Sequence, residues 1–277
     1  MAEGIFVQQG GKLVDMQPAP YVTEDDLQAL LEDHSVLLAG DQIVGSGTPR
    51  RFLLVRREAG IPDAPAAAGR WSVDHVFIDQ DAIPTLVEVK RSENTQIRRE
   101  VVGQMLDYAA NAVVHWPDGT LEAHFHATHG PDEGRVLETL REFLDLGGIP
   151  PEEAAERVAT WWQQAETNLR AGRLRVLFVA DVIPAELRRI IEFLNEQMAD
   201  TEVLGVEVRN YQGGDLRALV PRVIGLTEAA KERKGRTPSD TRSLAEIWTT
   251  APADVTEAKR LLDAWAGRLG LEAIPFS

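Results

Sequence analysis

The hydrophobic positions of the first 90 residues change from a helical period to a strand period. Leucines recur at helical spacing over 24–34, and Thr23 with Asp26 three residues later is close to a capping box, which predicts a helix there. The runs 71–79 and 83–90 are then rich in β-branched and aromatic residues. Three residues separate these two runs, and this spacing predicts a β-hairpin.

The same two periods predict the remaining elements. A strand is expected at 52–58, and after Ser92 the period becomes helical through about 112. Later segments are a short strand at 121–127, helices at about 134–146 and 151–171, a strand at 173–181, a helix at 185–198, a strand at 202–211, an apolar segment at 218–226 and a helix at 254–270. Residues 1–20 are expected to be irregular, and 229–240 to be a basic linker. This order predicts an α/β fold with a mixed sheet flanked by helices.

Two charged residues interrupt the apolar run of the second hairpin strand. Glu88 and Lys90 alternate with Val87 and Val89, so their side chains point to the same face of the strand. If the hairpin folds about Asp81, the register places Asp74 opposite Glu88. Like charges directly opposite each other destabilise a sheet, and the pair therefore calls for a cation between them.

A hard divalent cation fits this arrangement, because Mg²⁺ is held by one or two carboxylates with waters and phosphate oxygens. Lys90 could then contact a phosphate or help to orient and deprotonate a water. These residues predict metal-assisted phosphodiester hydrolysis. The alternative for Glu88 and Lys90 alone is a solvated ion pair on an edge strand.

The helix after the hairpin carries further candidate residues. Gln104 and Tyr108 are four residues apart and share one face. Arg98 and Arg99 follow the hairpin closely and are candidates for contacts to a phosphate backbone. The alternative for the two arginines is an ordinary amphipathic helix with a solvated basic side.

The combination of an Asp, then Glu-x-Lys on the next strand, then a helix with Gln-x-x-x-Tyr resembles the PD-(D/E)XK nuclease superfamily, and the helix is similar to that of its RecB-like and NucS-like branches. The resemblance implies that Asp74, Glu88 and Lys90 are catalytic. It also implies that Asp74 and Glu88 bind Mg²⁺ or Mn²⁺, and that Gln104 and Tyr108 position the substrate or Lys90. The proline that often precedes the Asp is Val73 here.

The family often adds an acidic metal ligand from the first helix. Glu24 is the candidate in this sequence, with Glu32 as the second choice. The alternative for Glu24 is an acid that complements the helix dipole. The resemblance also implies a restriction-endonuclease-like core with a helical insertion at about 113–171.

Composition limits the class of protein without choosing a function. The chain has 277 residues, no cysteine and a formal charge of −15. The sequence shows no apolar run of membrane-spanning length and no secretory signal at its start, so a cytoplasmic location without a membrane partner is expected.

The negative charge argues against a nucleic-acid partner unless basic residues form a local patch. A group of basic residues lies after the second half of the predicted sheet: Arg209, Arg217, Arg222, Lys231, Arg233, Lys234 and Arg236.

Two other motifs have mainly structural interpretations. His124 and His126 would share one face of the strand at 121–127, but without cysteine a zinc site is the weaker interpretation and exposed histidines the stronger. Trp161 and Trp162 are interpreted as core residues, with base stacking as the alternative.

The sequence thus predicts a nuclease-like domain at 1–226, followed by a linker and a helical segment at 227–277. The predicted function is a metal-dependent endonuclease acting on DNA rather than RNA, in repair, restriction or phage defence. The alternative is a non-catalytic nuclease-fold module that binds nucleic acid or protein. The sequence allows a homodimer and does not fix the oligomeric state.

Overall fold

The computed structural model describes residues 4–43, 48–64, 71–92 and 100–235. Within these residues the chain forms an eight-stranded mixed sheet with helices on its two faces, so the predicted α/β class is confirmed. The strands are β1 (Ile5–Gln9), β2 (Lys12–Pro18), β3 (Phe52–Ile61), β4 (Trp71–Asp79), β5 (Pro84–Lys90), β6 (Arg175–Ala180), β7 (Glu202–Gly213) and β8 (Leu216–Ile224). The helices are α1 (Glu24–Asp33), α2 (Glu100–His115), α3 (Thr120–His129), α4 (Glu133–Phe143), α5 (Pro151–Arg170), α6 (Ala185–Gln197) and α7 (Glu228–Gly235).

The sheet runs in the order β1-β2-β7-β6-β5-β4-β3, and β8 pairs with β7. β5, β6 and β7 are parallel, and the other pairs are antiparallel. Parallel strands need crossover connections, which α2–α5 supply between β5 and β6 and α6 supplies between β6 and β7. All six residues of β6 are buried, as expected for a central strand with both faces covered.

Each face of the sheet packs against its own apolar core. One core contains α2, α5 and α6 with residues such as Val76, Leu86 and Phe178, and the other contains α1 with Phe77 and Val87. Gly205 allows helix α6 to approach β7 closely, since a Cβ at this position would lie only 3.0 Å from Ile191 Cδ1 of α6. The sheet thus has two well-defined faces, and alternate residues of each strand enter different cores.

The predicted start of α1 is confirmed in detail. Thr23 Oγ1 accepts the backbone N–H of Asp26 at 3.0 Å, and Asp26 Oδ2 accepts the backbone N–H of Thr23 at 2.7 Å. This reciprocal capping box satisfies two donors that a helix N-terminus leaves free. It fixes where α1 begins, and therefore where Glu24, its first residue, lies.

The prediction that residues 1–20 are irregular was wrong. Strands β1 and β2 form a hairpin whose turn is Gly10-Gly11, with φ of 57° and 78°. Both positions need the left-handed backbone that glycine adopts without strain. The polar outer face of this hairpin hid its strand pattern.

The strand predicted at 121–127 was also wrong, because this segment belongs to helix α3. Leu121 and Phe125, four residues apart, are its buried positions. The histidines therefore do not share a strand face. His129 Nε2 lies 2.9 Å from the carbonyl oxygen of Leu54, and His126 Nδ1 lies 3.6 Å from Glu133 Oε1.

Helices α3, α4 and α5 occupy the segment predicted as an insertion; α3 and α5 pack against the sheet, and α4 packs against α5. Trp161 and Trp162 are buried with ring centroids 4.6 Å apart, which confirms their assignment to the core. Trp161 Nε1 donates to the carbonyl oxygen of Gln80 at 3.2 Å, so α5 is bonded to the β4–β5 turn. This contact anchors the insertion beside the hairpin.

The expected linker at 229–240 begins as helix α7 instead. Its Lys234 ammonium donates to Asn195 Oδ1 at 2.7 Å and to the Thr201 carbonyl oxygen at 2.8 Å. The chain divides into two compact units, Met1–Lys234 and Gly235–Ser277, and residues 236–277 lie outside the described residues, as does the helix predicted at 254–270. In the described part of the chain, every helix is too short or too polar to span a bilayer.

Candidate metal-dependent active site

Asp74, Glu88 and Lys90 come together at the carboxyl end of β5. The β4–β5 register pairs Ile78 with Pro84 and His75 with Val87, as the sequence predicted. The backbone pairing of β4 with β5 ends at His75. At the next residue, Asp74, the side chain rather than the backbone bonds to β5. Asp74 Oδ2 accepts the backbone N–H of Val89 at 2.7 Å. The carboxylate is thus fixed against the segment between Glu88 and Lys90.

The Lys90 ammonium lies among three carboxylates. Its Nζ is 2.8 Å from Glu88 Oε1, 3.7 Å from Glu24 Oε2 and 4.0 Å from Asp74 Oδ2. It also donates to the carbonyl oxygen of Val89 at 3.0 Å. The structure therefore brings together the hairpin residues and the acid at the first position of α1.

Helix α2 contributes Gln104 and Tyr108 from one face. Gln104 Nε2 donates to Glu88 Oε1 at 3.0 Å and to the Tyr108 hydroxyl at 2.7 Å. Both amide hydrogens are therefore used, one of them on the carboxylate. The direct partner of Gln104 in the cluster is Glu88, so its positioning effect reaches Lys90 only through that carboxylate.

Burial dominates the electrostatics of Glu88. Its side chain is 2% exposed, and no described residue gives Oε2 a hydrogen bond. Burial, together with the neighbouring Asp74 charge, raises the pKa of Glu88 to about 7. A buried carboxylate oxygen without a donor is costly unless a proton or a cation satisfies it.

Asp74 and Lys90 respond to the same environment. Burial raises the pKa of Asp74, although the Val89 N–H and the Lys90 charge oppose this rise. For Lys90, burial alone would lower the pKa, but the Glu88 carboxylate outweighs it and the pKa is raised. Lys90 therefore stays an ammonium at neutral pH, in a cluster where carboxylates outnumber cations.

The donor set suits a hard divalent cation. Asp74, Glu88 and Glu24 offer carboxylate oxygens, the ligand type that Mg²⁺ and Mn²⁺ prefer. Within the described residues, no group of three or more His, Cys, Asp and Glu side chains is arranged as a complete metal site. A Mg²⁺ site does not require one, since waters and substrate phosphate oxygens complete a shell started by two carboxylates.

Glu32, the second choice for the acid from the first helix, lies elsewhere. Its Oε2 is 3.1 Å from Arg57 Nη1, and it joins the last turn of α1 to β3. Because α1 points its first turn at Lys90, only Glu24 of the two reaches the cluster. Arg98 and Arg99 lie outside the described residues, so their role stays a prediction.

Glu58, which was not among the predicted site residues, lies across from Asp74 on β3. The pairs Arg57–His75 and Ala59–Val73 flank this position. Glu58 has a φ of 51°, a left-handed conformation that is uncommon for a residue other than glycine, and its charge contributes to the raised pKa of Asp74. Strand alternation could not reveal this residue, because β3 carries a bulge between Leu54 and Arg56.

A second buried charge cluster at the opposite end of the sheet is fully paired. Arg175 is 1% exposed and contacts Asp79 Oδ2 at 3.2 Å and Glu202 Oε2 at 2.5 Å. Asp79 Oδ1 also accepts the N–H groups of Asp81 and Ile83. These groups stabilise the β4–β5 turn, and unlike Glu88 Oε2 in the cluster around Lys90, each of the two Asp79 carboxylate oxygens has a partner.

Comparisons with known proteins identify no family for the chain. No family model matches it, and no solved structure matches it significantly. Part of the chain is similar to glutamyl-tRNA reductase from Sorangium cellulosum (strain So ce56), with 29% identity over 118 residues, 36% of this chain and 21% of the reductase. Because the match spans about a fifth of that protein, it establishes neither a family nor an activity here.

Proposed function

We propose that this chain is a divalent-metal-dependent nuclease of the PD-(D/E)XK type that hydrolyses phosphodiester bonds in DNA. The observation that carries the proposal is the convergence of Asp74, Glu88 and Lys90 at the end of one hairpin, with Lys90 Nζ 2.8 Å from Glu88 and 4.0 Å from Asp74. The hairpin register derived from the sequence had predicted this convergence. The contact from Gln104 to Glu88 adds support from the Gln-x-x-x-Tyr helix.

The order of elements also supports the proposal. From α1 the chain forms a helix, three antiparallel strands and a second helix, and then β6 parallel to β5 after the insertion α3–α5. This is the order expected for a restriction-endonuclease-like core. The proposed cluster lies at the carboxyl end of β5, where the adjoining N-terminus of α1 supplies Glu24.

Asp74 and Glu88 would hold Mg²⁺ or Mn²⁺, with Glu24 as a further ligand. When bound, such a cation polarises a phosphoryl oxygen and lowers the pKa of a coordinated water. Glu88 Oε2, buried without a hydrogen bond from any described residue, is the atom whose chemistry most clearly fits a cation. The Val89 N–H and the Gln104 amide hold the Asp74 and Glu88 carboxylates in position.

Lys90 acts as a fixed positive charge in this scheme. Its raised pKa keeps the ammonium protonated near neutral pH, so it is poorly suited to accept a proton from water. The ammonium can donate hydrogen bonds to the attacking water and to the phosphate oxygens. It stabilises the negative charge that grows on the phosphate in the transition state.

The alternative is a non-catalytic module with the same fold, which the charge of −15 favours. A cleavage panel separates the two functions. Single-stranded and double-stranded DNA and RNA are incubated with the protein in Mg²⁺, Mn²⁺ or EDTA. The nuclease proposal requires cation-dependent cleavage of a DNA substrate, whereas intact substrates that nevertheless bind the protein would support the module.

A further inference from the structure

Lys90 belongs to a row of paired residues that crosses the sheet from β5 to β8 and includes the charged residues Glu207 and Arg222. Lys90 pairs with Ala180, Ala180 with Glu207, and Glu207 with Arg222. Residues paired on neighbouring strands point to the same face. Glu207 therefore lies on the face of Lys90, two strands away, which corresponds to about 10 Å.

Glu207 holds two arginines on this face. Its side chain is 1% exposed, and its Oε1 accepts the backbone N–H of Ile183 at 3.0 Å. Arg188 Nη2 from α6 lies 3.7 Å from Oε1, and Arg209 Nη2 from β7 lies 3.4 Å from Oε2. Both arginine side chains keep solvent access, at 35% and 42%. A buried carboxylate thus orients two guanidinium groups at the surface.

We name Arg188, Arg209 and Arg222 the arginine patch. Arg222 is exposed and lies on β8, directly opposite Glu207 of β7. Two guanidinium groups contact the Glu207 carboxylate and the third belongs to its register partner, so the patch has more positive than negative side chains on a protein of charge −15. Of the nearby acids, Asp181 is bonded to Ser92, and Glu186 is exposed in the first turn of α6. Guanidinium groups suit phosphate, because their planar donors match its oxygens.

We propose that the arginine patch binds backbone phosphates of the DNA strand whose scissile phosphate lies at Lys90. This inference rests on the proposed nuclease function. The row places Glu207, which holds Arg188 and Arg209, about 10 Å from Lys90, so a strand with one phosphate at Lys90 can present a nearby backbone phosphate to these arginines. Such contacts set the position of the strand without reading its bases. The patch also supplies the local positive surface that a protein with a net charge of −15 needs in order to bind DNA.

The test uses the double variant Arg188→Gln/Arg209→Gln, with Arg173→Gln as the matched control. Arg173 is exposed and precedes β6, at the opposite end of that strand from the proposed site. The double variant leaves Glu207 buried without its cations, so a triple variant that adds Glu207→Gln removes the buried charge as well. Thermal unfolding verifies that each variant is folded before DNA is added.

Binding of a fluorescent DNA that the wild type cleaves is measured in EDTA between 50 and 200 mM salt (roughly the range over which phosphate contacts are resolved). The wild type and Arg173→Gln should bind alike. The double and triple variants should bind about 10-fold more weakly, and the plot of log K against log salt should be shallower by about 2, for two lost phosphate contacts. In Mg²⁺ their KM should rise with kcat largely kept.

Three outcomes are distinguishable. Weaker binding with a shallower salt slope in the folded variants, and not in Arg173→Gln, supports the patch. Unchanged affinity and slope in the triple variant overturns it, while cleavage by the wild type leaves the nuclease proposal intact. If the wild type neither binds nor cleaves DNA with either metal, the nuclease proposal fails and the arginine patch fails with it.

Discussion

The Asp74 carboxylate accepts the backbone N–H of Val89 at 2.7 Å, so a side chain of β4 is hydrogen-bonded to the β5 backbone between Glu88 and Lys90. This bond gives Asp74 two roles. It replaces the next step of a backbone ladder that ends at His75, and it places a carboxylate beside the Lys90 ammonium. The structural role and the proposed metal-binding role can be separated by choosing the substitution.

Asp74→Asn keeps a side-chain oxygen that can accept the Val89 N–H, whereas Asp74→Ala does not. We expect Asp74→Asn to unfold near the wild-type temperature and Asp74→Ala to lose about 1–3 kcal/mol of stability, because a buried donor is left without an acceptor. Thermal and urea unfolding measure this difference. Equal destabilisation by the two variants would show that the bond to Val89 is not what Asp74 contributes to the fold.

The pH dependence of stability should report Glu88. Its pKa is raised from 4.5 to about 7 in the folded protein, so the folded state holds a proton that the unfolded state has released between these values. The resulting stabilisation is complete below pH 4.5 and is lost as the pH rises to about 7. In EDTA, the unfolding temperature of the wild type relative to Glu88→Gln should therefore fall from pH 5 to pH 8 (roughly the titration window). A constant difference would contradict the assigned burial effect.

Mg²⁺ should reverse this trend. A cation binds the ionised form of Glu88, so its stabilising effect should grow as the pH rises through about 7 and protons should be released on binding. Calorimetry in two buffers of different ionisation enthalpy measures the released protons. Glu88→Gln serves as the control, and proton release that it leaves unchanged would place the titrating group elsewhere.

Gln104→Leu should weaken metal binding although it replaces none of the proposed ligands. The amide donates to Glu88 Oε1 at 3.0 Å, and loss of such a support typically costs 10–100-fold in metal affinity (roughly the range for outer-shell partners). Tyr108→Phe removes only the hydroxyl that Gln104 contacts, so its effect should be smaller. Mn²⁺ titration measures both. Equal affinities for the wild type and Gln104→Leu would show that the amide does not position Glu88.

Lys90→Met should separate binding of the cation from chemistry. Removing an ammonium 2.8 Å from Glu88 and 4.0 Å from Asp74 takes away a competing positive charge, so divalent metal binding should be kept or strengthened. Cleavage should fall by about 10²–10³-fold, because the transition state loses a charge partner. Metal affinity and kcat measured on the same preparation test this. A variant that cleaves at the wild-type rate would remove Lys90 from the proposed mechanism.

The sequence was sufficient to predict the hairpin and its register. Side chains alternate with period two, and a three-residue gap leaves little choice of pairing, so the pairs Val76–Leu86 and Ile78–Pro84 followed directly. The start of α1 could also be predicted, because Thr23 and Asp26 form a local capping box. Both features are encoded within a few residues of each other.

The errors have particular physical causes. The β1–β2 hairpin carried a recognisable signal in Gly10-Gly11, but its exposed strands lack a clear apolar face. In α3, alternating histidines suggested a strand, while the buried pair Leu121 and Phe125 has helical spacing. The first error thus came from a missing apolar face, and the second from an alternation that the burial of Leu121 and Phe125 overrides.

The long-range contacts of the site could not be predicted from the sequence alone. The contact from Glu24 to Lys90 depends on how α1 packs across the sheet, and the row from Lys90 to Glu207 depends on two parallel crossovers. The carboxylate of Glu207 meets Arg188 only because α6 returns over the same face. Such contacts arise from topology rather than from any local motif.

The most direct test of the central claim is the cleavage of DNA by the wild type and by Asp74→Asn, which keeps the bond acceptor for Val89 and loses the charge. Both proteins, verified as folded by thermal unfolding, are incubated with single-stranded and double-stranded DNA in Mg²⁺, Mn²⁺ and EDTA. The proposal predicts cleavage by the wild type with a divalent cation, none in EDTA, and a loss of at least about 100-fold in Asp74→Asn. Cleavage that persists in EDTA or in Asp74→Asn, or no cleavage of either DNA form by the wild type, would contradict it.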